Sequence, residues 1–169
     1  MIEIEIDKLT NSIENVVTGD SFATEILSVT INDLKITTKK NKWLFDWKHE
    51  FKQPERDVYK LTIVNNLNVV QGMISLEIRD DHVYMHLLEN APFNLGKNKM
   101  YAGVAGNLVA FACKMSWDRG NEGFVVFQSK TQLIEHYEKM LGAVHEGGRT
   151  MIIYPHAALK LIHTYFQEQ

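Results

Sequence analysis

Disulfides are the first thing this chain cannot have. Its 169 residues include one cysteine, Cys113, so no intrachain bridge can form, and a reducing compartment is the natural expectation. Proline is nearly as scarce, with three in all, and no low-complexity linker or internal repeat divides the sequence. No apolar run reaches the roughly 18–20 residues that a bilayer-spanning helix needs. The opening stretch Met1-Ile2-Glu3-Ile4-Glu5-Ile6 alternates apolar with acidic residues. It therefore reads as a strand and not as a signal peptide. Taken together, these absences lead to the expectation of a cytoplasmic protein. Neither sign of charge dominates: 18 Lys and Arg stand against 21 Asp and Glu, a formal net charge of −3. That balance is unlike a nucleic-acid binder.

What is present is the material of a globule. With 45% hydrophobic, 10% aromatic and 23% charged residues, the chain can bury a core without a disulfide or metal staple. The length fits one domain over residues 1–169.

The pattern predicts strands first. Ser21–Val29 suits a strand, and Thr30 to Leu34 opens a short helix ending near Lys39 and Lys40. Trp43, Phe45 and Trp47 alternate at period two, as a strand with one aromatic face would. Val58–Val64, Val69–Ile78 and His82–Leu88 are three further strands, punctuated by turns at Asn65-Asn66 and Asp80-Asp81. From Gly103 the rhythm becomes helical, with Leu108, Phe111, Ala112 and Met115 on one face. Phe124–Phe127 is a short buried strand. Ser129 and Gln132 form a capping-box pattern before a second helix, whose inner face is Leu133, Ile134, Tyr137 and Leu141 and which Gly142 stops. Ala143–Glu146 and Thr150–Tyr154 make a hairpin around Gly147-Gly148. Pro155 starts a last helix through Phe166, with Leu159, Ile162 and Phe166 as its apolar stripe. The sum is a mixed α/β fold around one sheet.

Two of these segments carry chemistry. A helix start presents unpaired N–H groups and a positive dipole end, so it attracts phosphate. The glycines and alanines of Met100-Tyr101-Ala102-Gly103-Val104-Ala105-Gly106-Asn107 would let a diphosphate approach the backbone. This stretch resembles the pyrophosphate-binding signature of the GNAT (GCN5-related N-acetyltransferase) superfamily, written Gln/Arg-x-x-Gly-x-Gly/Ala. Leu133 to Gly142 (LIEHYEKMLG) is similar to that family's A-I-x-x-Y-E-K-L-G-F helix, with one extra residue before the glycine. The likeness is closest over residues 82–154. Met100 stands where the family has Gln or Arg, with Lys97 and Lys99 nearby either to compensate or as solvated loop lysines, and Lys130 stands where it has Asn. The loop from Glu89 to Gly103 is longer than the family's.

The resemblance implies a mostly antiparallel GNAT sheet flanked by helices, with the helix after Pro155 as an addition that covers apolar surface or makes a homodimer contact. It implies acetyl-CoA as co-substrate, no metal, and direct attack of an amine on the thioester. Cofactor binding falls to backbone groups at Leu87 and Leu88, to Met100 through Asn107, and to Lys130. Tyr137 matches the tyrosine that protonates the leaving thiolate, although its spacing equally suits a core aromatic. Glu89 matches a strand-end general base, with water-mediated deprotonation as the competing route. His86 reads as a structural histidine and Cys113 as an inert buried thiol. His82 and His86, about 13 Å apart on a strand, cannot share a metal ion. The aromatic stripe Trp43, Phe45, Trp47 is core or a substrate-pocket wall. The acceptor is a small-molecule or protein amine, or aminoacyl-tRNA as for GNAT-like toxins, and no membrane partner is expected. Two other readings stay open: a GNAT-shaped CoA-binding module without catalysis, and an RNA-binding domain in which Gly103-Val104-Ala105-Gly106 is the Gly-x-x-Gly clamp of KH modules.

Overall fold

A computed structural model describes residues 1–166. Ten strands and five α-helices follow one another along the described residues. β1 (Ile13–Asn15) and β2 (Ser21–Phe22) form a small hairpin, followed by β3 (Thr24–Ser28), α1 (Ile31–Ile36) and α2 (Trp47–Lys52). Three longer strands come next, β4 (Asp57–Ile63), β5 (Gly72–Ile78) and β6 (Val83–Asn90). The short β7 (Tyr101–Ala102) precedes α3 (Val104–Asp118), β8 (Val125–Gln128) and α4 (Ile134–Leu141). β9 (Val144–His145), β10 (Thr150–Ile153) and α5 (Pro155–Tyr165) complete the order.

Seven strands make the main sheet in the order β3-β4-β5-β6-β8-β10-β9. Every neighbouring pair is antiparallel except β6 and β8, which run parallel. This is the mixed, mostly antiparallel sheet flanked by helices that the GNAT resemblance implied. The apolar alternation of β4, β5 and β6 feeds two cores. Leu61, Ile74, Leu76 and Leu88 join α3 (Leu108, Val109, Ala112), Tyr137 and Leu141 of α4, and Ala158, Leu161 and Tyr165 of α5. Val58 and Met73 instead pack with Val29, Leu34, Trp43 and Trp47.

Several expectations need correction. Trp43, Phe45 and Trp47 are not a strand: the chain is irregular there, and the Asp46 side chain caps α2 by accepting from the His49 N–H at 3.0 Å. Trp43 and Trp47 are core nonetheless. Met1–Ile6 keeps its alternation, with Ile2 and Ile6 buried and Glu3 and Glu5 exposed, but forms no ladder beyond a single parallel bridge from Ile2 to Ser129. Ser129 makes no capping box. Its Oγ donates to the Lys130 carbonyl, residues Thr131–Leu133 form a 3₁₀ turn, and the α-helix begins only at Ile134. Ser21–Val29 divides into two strands in two different sheets, and β5 begins at Gly72 and not at Val69. The apolar stripe of α5 is shifted as well. Ala158, Leu161 and Tyr165 are buried against the core, whereas Phe166 is exposed.

The Thr30 helix start is as read, with a capping box between Thr30 and Asp33. Asp33 also receives Lys60 of β4 in a buried ion pair at 2.9 Å, and the Leu67 carbonyl takes a second Lys60 proton at 2.9 Å. Cys113 is fully buried in α3, and desolvation pushes its thiol up to about 12, as befits an inert core sulfur. No helix among the described residues is long and apolar enough to cross a membrane.

Candidate functional site

The parallel pair at the sheet's centre opens like a wedge. β6 pairs with β5 as far as Gly72–Asn90, but with β8 only through Val83, Met85 and the residue between them. From His86 onward the second edge of β6 is released from β8. Of the sequence-derived site residues, Leu87, Leu88 and Glu89 lie on the freed length of β6, and Gly103 before α3, Lys130 after β8 and Tyr137 on α4 all bond the segment that lies in this split.

The split is filled by residues 1–7 of the chain itself. The Met1 nitrogen donates to the His86 carbonyl on β6 at 3.3 Å. Ile2 then lies along β8: its N–H donates to the Gln128 carbonyl at 2.7 Å, and the Lys130 N–H donates back to its carbonyl at 3.0 Å. The Tyr137 hydroxyl donates to the Ile4 carbonyl, and the Ile6 N–H donates to His136 Nε2 at 2.8 Å. That last bond requires the His136 ring to be neutral, with its proton on Nδ1. Ile2 and Ile6 are 1% and 2% exposed and belong to the main core.

At the mouth of α3 the same segment supplies an anion. One Asp7 carboxylate oxygen accepts the Gly103 N–H at 3.0 Å, and the other pairs with Lys99 Nζ at 3.0 Å. A helix start beside a lysine favours an anion; Asp7 is that anion here, and the same donors would suit a diphosphate in its place. Gly103 has φ +97°, a left-handed conformation suited to glycine. A Cβ there would also meet the Ser12 carbonyl and Thr10 Cγ2 at 3.0 Å. At Gly106 a Cβ would meet the Tyr165 hydroxyl at 2.2 Å and the Lys8 carbonyl at 2.9 Å. What approaches these glycines in this conformation is the chain's own residues 8–12 and α5. Asn107 anchors that stretch, its Nδ2 contacting the carbonyls of Thr10 and Ser12 at 3.3 and 3.2 Å.

The remaining signature residues are also engaged. Tyr101 and Ala102 form β7 and pair with β1, and the Met100 carbonyl accepts from the Val16 N–H at 3.0 Å. The long loop before them is braced by Asn94, which donates to Gln71 and accepts from the Tyr101 N–H at 3.0 Å. Lys97 is exposed, and the Met100 side chain points largely into solvent.

The two expected catalytic side chains are both buried. Tyr137 sits edge-on to Phe127 with ring centroids 5.3 Å apart, and burial raises its hydroxyl far above the ordinary tyrosine range. Glu89 accepts three N–H donors: Leu44 at 2.6 Å, Phe45 at 3.2 Å and the Trp47 indole at 2.8 Å. It ties the irregular aromatic segment to β6. His86 bonds Glu77 at 2.9 Å and stacks near Tyr84, and burial lowers its proton affinity. His82 instead contacts Asp81 at 2.6 Å. Among the described residues no group of three His, Cys, Asp or Glu is placed to hold a metal ion.

Sequence reasoning missed Asp7, Lys99 as its partner, His136 and Asn107's anchoring role. The available signal was the acidic, isoleucine-alternating opening, which was read as an ordinary strand.

No family model matches the chain, and no curated protein matches it either. Solved structures do. The chain is similar to the spermidine N-acetyltransferase of Vibrio cholerae in complex with CoA and spermine, with a TM-score of 0.57 at 17% identity over 80% of this chain and 98% of that one. It is also similar to a mutant AtaT toxin bound to the C-terminus of the antitoxin AtaR, with a TM-score of 0.58 at 17% identity over 89% and 100%. A third likeness is to the ribosomal-protein-S18-alanine N-acetyltransferase of Escherichia coli, with a TM-score of 0.53 at 15% identity over 77% and 90%. The chain has the fold of these structures, the GNAT fold.

Proposed function

We propose that this chain is an acyl-CoA-dependent N-acetyltransferase, acting on a primary amine by direct attack in a ternary complex. The observation that supports it best is the split between β6 and β8. A freed strand edge at Leu87–Glu89, a helix start that already holds an anion at Gly103 and a tyrosine hydroxyl at Tyr137 converge on one channel. In this reading Gly103 and Lys99 hold the diphosphate, and the edge of β6 hydrogen-bonds the pantetheine arm as an added strand would. The freed N–H groups of that edge polarise the thioester carbonyl. The amine lone pair attacks the carbonyl carbon, the C–S bond breaks, and Tyr137 passes its proton to the departing thiolate. Burial keeps the Tyr137 hydroxyl protonated at neutral pH but makes it a weaker acid, so the transfer relies on the hydroxyl hydrogen-bonding the forming thiolate directly.

Glu89 has a positioning role in this scheme. Its three N–H donors fix the Trp43–Trp47 segment as a wall on the acceptor side, and water takes the amine proton. The aromatic wall and the neighbours' polyamine chemistry make spermidine and spermine the first amines to try, with N-terminal peptides next. The test is acetyl-CoA binding by calorimetry, followed by acetyl transfer to that panel. Transfer that Tyr137→Phe slows by about 10²–10⁴-fold would establish the role; no binding by the folded chain or its cleft-opening variants would refute the reading.

A second reading, a CoA-binding protein of this fold without transfer, draws on the engagement of Glu89 by three donors. Acetyl-CoA binding with no product from any amine would favour it.

A further inference from the structure

We infer that residues 1–7 are an intramolecular stand-in for the acyl-CoA, a strap that holds the cleft closed and gives way when acetyl-CoA binds. The inference rests on the acetyltransferase reading and deepens it by saying what governs access to that site.

The match is in chemistry as well as place. An acyl-CoA pantetheine arm is a narrow, mostly apolar chain with amide groups along its length, ending in a dianionic diphosphate. Residues 1–7 offer the same sequence of groups. Ile2, Ile4 and Ile6 supply the apolar spine, the Met1 amino group bonds β6 while the Ile2 and Ile6 amides bond β8 and the α4 side chain His136, and the Asp7 carboxylate takes the Gly103 N–H and Lys99. The strap also consumes the expected proton donor, since Tyr137 gives its hydroxyl proton to the Ile4 carbonyl. Two copies of one chemistry cannot share a channel, so the strap and the cofactor exclude each other. Charge sharpens the exclusion. With the strap in place a diphosphate at Gly103 would face Asp7 directly, and Glu3 and Glu5 flank the same path.

The strap is built to leave. Residues 1–7 make only one β-bridge, to Ser129, in contrast to the continuous ladders of the sheet. Glu3 and Glu5 remain exposed, and the polar anchors at Ile4, Ile6 and Asp7 are individual hydrogen bonds and one ion pair, with Ile2 and Ile6 the buried contacts that a ligand must replace. Residues 8–13 are held separately, by Asn107 and by Ile13 in the core, and form the fixed root about which the strap would swing. Its isoleucines would be replaced in the split by the pantetheine methylenes and methyls, and its carboxylate by the diphosphate.

A cleft that is competent for only part of the time binds its ligand more weakly by that fraction. Loosening the strap therefore tightens acetyl-CoA binding. The experiment measures acetyl-CoA affinity by calorimetry for the full chain, for a deletion of residues 2–7, and for the point variants Ile2→Ser and Asp7→Ala. The point variants keep the test alive if the deletion fails to fold, and circular dichroism verifies folding of each. The expected result is binding about ten- to a hundredfold tighter in the folded variants than in the full chain. In the deletion variant, a synthetic peptide of sequence MIEIEID should compete with acetyl-CoA, and the same peptide with Lys in place of its Asp should not. Equal acetyl-CoA affinity across all folded variants would overturn the strap while leaving the acetyltransferase reading intact. Absence of binding by every folded variant would overturn both.

Discussion

Two segments converge on the freed half of β6, and they are secured in opposite ways. The aromatic stretch Trp43–Trp47 is bound through one buried carboxylate, Glu89, whose two oxygens receive three N–H donors. Residues 1–7 are bound by scattered contacts, the buried Ile2 and Ile6 and separate hydrogen bonds, along an alternating chain whose Glu3 and Glu5 face solvent. A buried charge with several donors resists rearrangement, because removing any partner strands the others without water. A run of single hydrogen bonds can be exchanged one for one with a ligand's. The contrast separates a firmly fixed wall from a segment whose contacts can be exchanged.

The strongest way to break that comparison is at Glu89. Glu89→Ala leaves the buried Trp47 indole and two part-buried N–H groups without their acceptor, so stability should fall by about 3–5 kcal/mol. In a chain of this size that is a melting-temperature loss of about 6–20 °C, readable by calorimetry. A loss as small as that of an exposed glutamate would make the aromatic segment no better fixed than the strap. Tyr137→Phe comes next. It removes one hydrogen bond to the strap and should cost about 1 kcal/mol, while the ring stays against Phe127. The same variant should bind acetyl-CoA no more weakly than the parent, since the Ile4 anchor is also gone. Weaker binding would mean that the hydroxyl serves the ligand more than it serves the strap.

The smallest effect concerns the β5–β6 platform on which both segments rest. Hydrogen bonding to Arg79, with a further bond from His86, holds the Glu77 carboxyl at about 2, against an ordinary value of 4.5. Its proton affinity is lower in the folded chain than in the unfolded one. The pair's contribution is therefore complete above about pH 4.5 and is lost as the pH falls toward 2. A melting-temperature profile over that range should flatten slightly in Glu77→Gln. An unchanged profile would show that other carboxylates carry the acid sensitivity.

Much of the architecture was readable because it depends on local pattern. The period-two runs of β4 to β6, the helical rhythm after Gly103, the short helix opening at Thr30 and the closing hairpin all follow from neighbours in the chain. The failures share one cause: long-range partners decided them. Trp43, Phe45 and Trp47 alternate like a strand, yet what organises them is Glu89, more than forty positions away. The α5 stripe shifted because Tyr165 reaches back to Gly106 and the Lys8 carbonyl. The signature at Met100–Asn107 was visible as a helix start with small residues. That its glycines make room for residues 8–12 could not be seen without the fold. The alternation of Met1–Ile6 was legible, but that it lies in the split beside β6 with a single bridge and no ladder could not be seen without the fold.

Amide hydrogen exchange of the full chain, with and without acetyl-CoA, tests the strap most directly. The N–H groups of Ile2 and Ile6 are protected by Gln128 and His136, and that of Gly103 by Asp7. Saturating acetyl-CoA should speed exchange at Ile2 and Ile6 while Gly103 stays protected, because a phosphate oxygen takes over from the carboxylate. Binding that leaves Ile2 and Ile6 as protected as before would contradict the account, since the strap and the cofactor would then occupy different places.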